Sequence, residues 1–193
     1  IGRALSSTLD PETLFETILT EMRRLFDVNH FYITLHDAVR NEIRFEVEVR
    51  NGKLLPKRSR PLDNRYVTEY LMRTRQPLLI RENYEEEMRK LGVEPQNSHK
   101  GCFCGVPLLL YERPIGTMAV QSPQEGALDT GHLEMMRVLA SEAVIALENS
   151  RLFREERAKS RHLTLLNNIS RNIIVTLNPD EMLAKIGEEL EQG

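Results

Sequence analysis

The side chains with the most reactive chemistry lie close together in the middle of the chain. Cys102 and Cys104 stand two residues apart, and His99 precedes them. Exposed thiols with a low pKa carry redox chemistry, and a histidine can ligate haem or a metal ion. No second histidine or cysteine lies at the spacing of a metal finger. The pattern therefore favours two small apolar residues in a buried strand and an ordinary loop histidine over a catalytic or metal centre.

Composition narrows the classes of function that the chain can serve. Among 193 residues, 40% are hydrophobic and 28% are charged, which is typical of a domain with a packed core. The net charge of -3 argues against a nucleic-acid footprint over the whole surface. No apolar run approaches the ~20 residues that span a bilayer. A disulfide between the two closely spaced cysteines is geometrically awkward, which favours a reducing, cytoplasmic compartment. The start at Ile1 suggests a fragment of a longer protein.

The two cysteines belong to a stretch, residues 101–122, around which the rest of the chain is arranged. It contains two apolar runs separated by the polar residues 111–114. Apolar residues on both parities of the first run indicate a strand covered on both faces, although periodicity alone leaves a short buried helix open. We expect these runs to form the central hairpin of a sheet, with the second strand over residues 115–121.

The N-terminal third predicts one helix and two strands. A stripe of apolar residues at three- and four-residue spacing indicates an amphipathic helix over about residues 11–26. Residues 31–35 form a first strand. Residues 42–50 alternate strictly between apolar and charged types, which predicts a half-buried strand with one wet face. Asn51 and Gly52 then predict a tight type I′ turn.

Residues 53–100 are expected to form the walls of a site. Lys57, Arg58 and Arg60 indicate a basic loop, and Asp63 is a candidate cap for a short helix over residues 65–74. Residues 78–80 predict a short strand. A long loop over residues 81–100, with an acidic helix near 84–91, is typical of a lid or binding wall.

The C-terminal third predicts a long helix. Its apolar stripe covers about residues 131–149, and the absence of proline allows it to continue to about residue 174. The sequence TLDPE at residues 8–12 recurs as TLNPD at residues 176–180. The simpler interpretation is that the chain contains two similar capped helices. The alternative is that a second copy of the same domain begins here. We expect one domain over residues 1–155, followed over 156–193 by a connecting helix and the start of that copy.

Several short motifs together resemble the GAF domain family. They are Val106-Pro107-Leu108, Pro114-Ile115-Gly116 and the helix ending IALENSRL over residues 145–152, preceded by Leu9-Asp10-Pro11. The resemblance covers about residues 5–155. It implies an α+β fold with a central antiparallel sheet of about six strands, flanked by helices and followed by a long C-terminal helix. It also implies a small-molecule or protein-interaction role in signal transduction.

The resemblance places a ligand pocket between the sheet, the helix over residues 65–74 and the loop over 81–100. The Cys-His dipeptide of bilin-binding relatives is absent, and the residue set of the cyclic-nucleotide subset is incomplete. The ligand and any cofactor therefore stay unknown, and no metal is expected. An equally strong alternative is that Tyr66 and Tyr70 only pack the helix against the rest of the domain. The candidate ligand-binding residues are Arg65, Tyr66, Tyr70, Ser98, His99 and Cys102.

The function that these patterns favour is that of a non-enzymatic sensor module. It would bind a small molecule, dimerise through its terminal helices, and pass the signal to a downstream output domain such as a histidine kinase of a two-component system or a nucleotide cyclase. Leu163, Leu166, Ile169 and Ile173 are spaced as in a short coiled coil, the helix seam of such a homodimer. The alternatives are a ligand-free dimerisation module and a redox enzyme of the free-methionine-sulfoxide-reductase type.

Overall fold

A computed structural model describes residues 11–26, 29–95 and 101–176, with side chains as far as residue 166. The described chain forms four helices and seven strands. The helices are α1 (Pro11–Leu25), α2 (Val67–Thr74), α3 (Tyr84–Lys90) and α4 (Thr130–Thr176). The strands are β1 (His30–Asp37), β2 (Glu42–Arg50), β3 (Lys53–Leu54), β4 (Arg58–Pro61), β5 (Leu78–Ile80), β6 (Cys102–Leu110) and β7 (Arg113–Ser122).

The strands form one antiparallel sheet in the order β3-β2-β1-β7-β6-β5, and β4 pairs with β2 beside this path. The α+β fold with a central antiparallel sheet is therefore confirmed, with seven strands in place of about six. The hairpin of β6 and β7 lies inside the sheet, as predicted from residues 101–122. Pro114 is accommodated in β7 beside a register shift of the hairpin, so the strand begins at Arg113.

The two faces of the sheet carry separate apolar clusters, because adjacent residues of a strand point to opposite faces. On one face, α1 and the first half of α4 pack on the sheet to form the main core. On the other face, α2 and α3 cover a smaller cluster, which we call the second cluster. Its buried members are Val67, Leu71, Ile80, Tyr84, Met88, Val93, Phe103 and Ala119.

Strand β2 does not keep one dry and one wet face, contrary to the prediction. Its register with β1 shifts between Ile33 and Thr34. Such a bulge moves the following side chains to the opposite face. Ile43 and Phe45 therefore pack near α2, whereas Val47 and Val49 join the main core.

The segment after β3 also differs from its prediction in two places. Arg58 and Arg60 lie in strand β4, which pairs with β2, and not in a loop. Asp63 does not cap α2, because the helix begins at Val67 with Tyr66 at its N-cap. The carboxylate of Asp63 instead accepts hydrogen bonds from the backbone and side chain of Arg65.

The chain divides into two compact units, Ile1–Ser150 and Arg151–Gly193. Helix α4 extends to Thr176, in agreement with the predicted long C-terminal helix. The repeated motif of a second copy lies almost wholly outside the described residues, so that copy stays a prediction. Within the described part of the chain, no helix combines enough length with enough apolar character to cross a bilayer.

Candidate functional site

Helices α2 and α3 lie where the sequence predicted the walls of a ligand pocket. Val67 and Leu71 of α2 point to the sheet, and Arg75 ends this helix in the left-handed conformation with its N–H donating to the Leu71 carbonyl. Tyr84 and Met88 of α3 cover the neighbouring part of the sheet. The predicted acidic helix is therefore present.

Described side chains of the second cluster pack between α2, α3 and the sheet. The Tyr84 hydroxyl accepts a hydrogen bond from Gln121 Nε2 at 3.2 Å. Burial raises the pKa of Tyr84 to about 12. A gap of about 10 Å³ beside Tyr84, lined also by Cys102 and Gln121, holds a water molecule at most. The described part of this region is therefore a packed cluster, and because residues 96–100 of the predicted wall lie outside the described residues, the pocket stays a prediction.

Two of the predicted binding residues lie together at the start of α2. The Tyr66 ring has the Arg60 guanidinium 4.4 Å from its centroid and that of Arg65 at 5.7 Å. Arg65 also donates to Asp63 Oδ2 at 3.1 Å and lies 3.6 Å from Glu94 Oε1. These cation–π contacts and ion pairs hold the N-terminal end of α2 in place.

The other predicted binding residues are not brought to this place as a group. Tyr70 lies one turn along α2 and packs beside the second cluster. Cys102 lies on the opposite face of the sheet, in the main core. Ser98 and His99 lie outside the described residues. Of the described candidates, the structure therefore brings only Arg65 and Tyr66 together, while Tyr70 and Cys102 lie elsewhere.

Both cysteines are buried and unbonded to each other. The Cys102 thiol donates to the Gln124 carbonyl at 3.2 Å. Burial, with a smaller contribution from Cys102, raises the pKa of Cys104 to about 12. A thiol with such a pKa is protonated at neutral pH and is a poor nucleophile. Among the described residues, no three histidine, cysteine or carboxylate side chains form a cluster that could hold a metal ion.

Sequence reasoning missed a buried ion pair between Arg60 and Glu69, close to Tyr66 at the start of α2. Glu69 of α2 is 3% exposed, and the Arg60 guanidinium binds both of its carboxylate oxygens. Strand β4 positions Arg60, and the pairing of β4 with β2 brings it under α2. The signal that was present in the sequence is the spacing of Arg58 and Arg60, two residues apart, which suits one face of a strand.

Helix α4 has an apolar side chain stripe on each of two faces within residues 130–150. One stripe packs in the main core. On the outer face, Met135, Val138 and Ile145 are 40%, 58% and 53% exposed. The buried stripe consists of Met136, Leu139, Ala140, Ala143, Val144 and Ala146.

Comparison with known proteins agrees with this fold. A family model of the GAF domain matches residues 8–148. Because this match covers most of the chain, the protein belongs to the GAF domain family. GAF domains are generally regulatory sensor modules, and the chain is one such domain with an extended C-terminal helix.

Individual relatives are distant. The chain is 21% identical over 204 residues to the formate hydrogenlyase transcriptional activator FhlA of Escherichia coli strain K12, with 99% of this chain and 30% of FhlA covered. The chain thus spans about a third of the length of that curated relative.

Two solved structures illustrate the shared fold. The first is a methyl-accepting chemotaxis protein, residues 122 to 287, with a TM-score of 0.65 at 17% identity, covering 79% of this chain and 97% of that one. The second is the free methionine-R-sulfoxide reductase of Neisseria meningitidis in complex with its substrate, with a TM-score of 0.63 at 16% identity. That match covers 78% of this chain and 86% of the reductase. At these identities the likeness concerns the fold alone.

Proposed function

We propose that this GAF domain is a regulatory module that forms a homodimer through α4. Changes in its core then pass along α4 to a downstream output domain, such as a histidine kinase or a nucleotide cyclase. The observation that carries the proposal is the apolar outer face of α4. The same helix is bound to the sheet by its inner face, so it links the core to whatever covers its outer face.

The outer face of α4 has the spacing of a helix seam. Val138 and Ile145 are seven residues apart, which places them on one side of the helix two turns apart. Leu163 and Leu166, in the second compact unit, are 60% and 47% exposed. Covering one such side chain contributes about 1.5–3 kcal/mol, so several pairs are needed for a stable dimer. A parallel partner helix supplies them together.

The inner face of α4 connects the core of the domain to the proposed dimer interface on the outer face of the helix. Met136 and Ala143 are fully buried in the main core, which also contains strands β1, β6 and β7. A close-packed core cannot absorb a displacement of the sheet without moving the helix that covers it. The input must be a ligand or partner that binds the two arrangements with different affinity.

The proposal is tested by the association state of the purified chain in analytical ultracentrifugation. We expect a dimer for the wild-type chain and a monomer for the V138E/I145E double variant, because two carboxylates would be buried at the seam. V39E is the matched control, since Val39 is 97% exposed in the β1–β2 turn. It should stay dimeric. A wild-type monomer, or a double variant that remains dimeric with a native circular dichroism spectrum, would contradict the proposal.

The remaining alternatives differ in how well the geometry supports them. A ligand-free dimerisation module agrees with the packed second cluster between α2, α3 and the sheet. A redox enzyme of the sulfoxide-reductase type has less support, because both thiols are buried and the pKa of Cys104 is raised. A cavity beside α2, described in the next subsection, supports ligand binding.

A further inference from the structure

A cavity of about 430 Å³ opens beside α2, away from the second cluster. It lies where β1 ends and β7 begins, on the face of the sheet that α2 covers. Val67 and Leu71 point to the second cluster, whereas Met72 and Arg73 lie on another side of the helix and line the cavity. Its volume falls in the range of sites that take small organic molecules. Of the predicted ligand-binding residues that the structure describes, Arg65, Tyr66, Tyr70 and Cys102, none lines it.

Two arginines in the wall of this cavity carry charge that no described carboxylate neutralises. Arg73 and Arg113 line it, and within the described part of the chain neither forms an ion pair, although the Arg73 guanidinium lies 5.8 Å from the centroid of the Tyr70 ring. His36 also lines it, and its Nε2 atom is buried with no hydrogen-bond partner among the described residues. A buried ring nitrogen without a partner costs free energy, which a ligand at this position would recover.

The one acidic side chain among the described lining residues is already neutralised. Glu69 reaches the wall, but Arg60 binds its carboxylate through two nitrogens. Asp37, next to His36 in sequence, lies 3.8 Å from Arg40 and 3.9 Å from Arg44. The excess charge that faces the cavity is therefore positive.

The other side of the cavity is apolar. Leu62, Met72 and Ile115 line it, and Met72 is 7% exposed and fixed against Ile43 and Phe45. We propose that this cavity binds a small organic anion. Its phosphate or carboxylate head is bound by Arg73, Arg113 and His36, and its hydrocarbon body packs on Leu62, Met72 and Ile115.

The recognition follows from the geometry of the donors. Guanidinium groups present paired N–H donors that match the oxygens of phosphate and carboxylate. The imidazole supplies one more donor from inside the wall. The apolar residues favour a ligand with a carbon skeleton over the bare anion. This inference does not depend on the dimer proposed for α4, since every residue named lies on the sheet, on α2 or in the loop before α2.

The experiment is an NMR titration of the full chain labelled with nitrogen-15, with phenyl phosphate as the probe. We expect saturable shifts of the His36 ring nitrogens and the Arg113 amide, with a Kd of about 1 mM. The R73Q/R113Q variant should bind at least about tenfold more weakly. R81Q is the matched control, because Arg81 is exposed and does not line the cavity. Inorganic phosphate should bind more weakly than phenyl phosphate.

Three results would overturn the inference. They are the absence of saturable shifts at His36, unchanged affinity in R73Q/R113Q, and equal affinity for inorganic and phenyl phosphate. Both arginines are exposed, so the double variant should give a native amide spectrum; if it does not, R113Q alone is measured in the same way. Repeating the titration with V138E/I145E separates the two proposals, because loss of the dimer should leave the affinity of the cavity unchanged.

Discussion

At the scale of single residues, Glu48 shows how this fold treats a charged side chain that the sequence places on a wet face. Its side chain is 7% exposed, and its carboxylate accepts hydrogen bonds from Arg58 Nε at 2.6 Å and from Arg50 Nη2 at 2.6 Å. The Arg58 guanidinium also lies 3.7 Å from the centroid of the Phe45 ring. Burial alone would raise the pKa of Glu48, but the two arginines outweigh it and the pKa lies below its usual value.

This lowered pKa predicts a pH dependence of stability. A carboxyl whose pKa is lower in the folded than in the unfolded state stabilises the fold above its unfolded-state pKa. That contribution disappears as the pH falls from about 5 through the folded-state pKa. We expect E48Q to lower the free energy of unfolding at pH 7 by about 1–2 kcal/mol and to reduce its slope between pH 5 and 3.

Urea denaturation across this pH range measures the effect of E48Q. The control is E134Q, because Glu134 is 68% exposed and its 3.5 Å pair with Arg137 lies on the surface of α4. Little change is expected there. An E48Q variant with the stability and pH slope of the wild type would show that the arginines contribute nothing through this carboxylate.

The cysteines give a second prediction at this scale. Because Cys102 and Cys104 are 2% and 0% exposed, neither thiol should react with a thiol-specific disulfide reagent in the native chain at pH 8. Both should react in urea. A thiol that is modified rapidly in the folded protein would contradict the buried arrangement and restore the redox alternative.

At the scale of elements, the pairing of β1 with β7 depends on one glycine. Gly116 is opposite Leu35, and a Cβ atom built on it would lie 1.9 Å from the carbonyl oxygen of Thr34. The neighbour is backbone, so it cannot yield without opening the ladder between the strands. The Pro-Ile-Gly motif of the sequence therefore has a physical cause in the close approach of β1.

G116A should accordingly destabilise the domain strongly. We expect a loss of about 3 kcal/mol or more, measured by urea denaturation or seen as a failure to fold. The comparison is G105A, since the atoms nearest to a Cβ there belong to the side chains of Phe103 and Leu71, at 2.6 and 2.8 Å. A side chain can change its torsion angles without opening the strand ladder, so the loss should be smaller. Equal losses in the two variants would show that the backbone contact is not the cause.

At the scale of the whole molecule, all buried members of the main core that the structure describes lie before residue 150, between Leu14 and Ala146. A chain that ends at residue 155 should therefore unfold cooperatively, with a free energy of unfolding within about 1 kcal/mol of the full chain. The same truncation removes Leu163 and Leu166, so its dimer should dissociate at least about tenfold more readily.

Sedimentation equilibrium and urea denaturation of the two chains measure both quantities. A truncated chain that dimerises like the full chain would restrict the seam to Val138 and Ile145. Loss of cooperative unfolding would show that residues beyond 155 support the core.

Local patterns in the sequence determined much of this fold. The apolar stripe of α1, the hairpin of β6 and β7, the helices α2 and α3, and the turn at Asn51 and Gly52 follow from residue spacing and turn chemistry. Asn51 and Gly52 indeed have φ of 51° and 72°. Such features depend on neighbours in the chain, so the sequence alone suffices to predict them.

The tertiary structure alone decided the features that involve residues far apart. The bulge opposite Ile33 sends Val47 and Val49 to the main core, although strict alternation in the sequence gives no sign of it. The pairing of β4 with β2 turns a run of basic residues into a strand and brings Arg60 to Glu69. Tyr84 and Phe103 meet in the second cluster, and the ends of β1 and β7 form the cavity beside α2. Each of these features depends on contacts between residues that are far apart in the sequence. Local periodicity cannot predict such contacts.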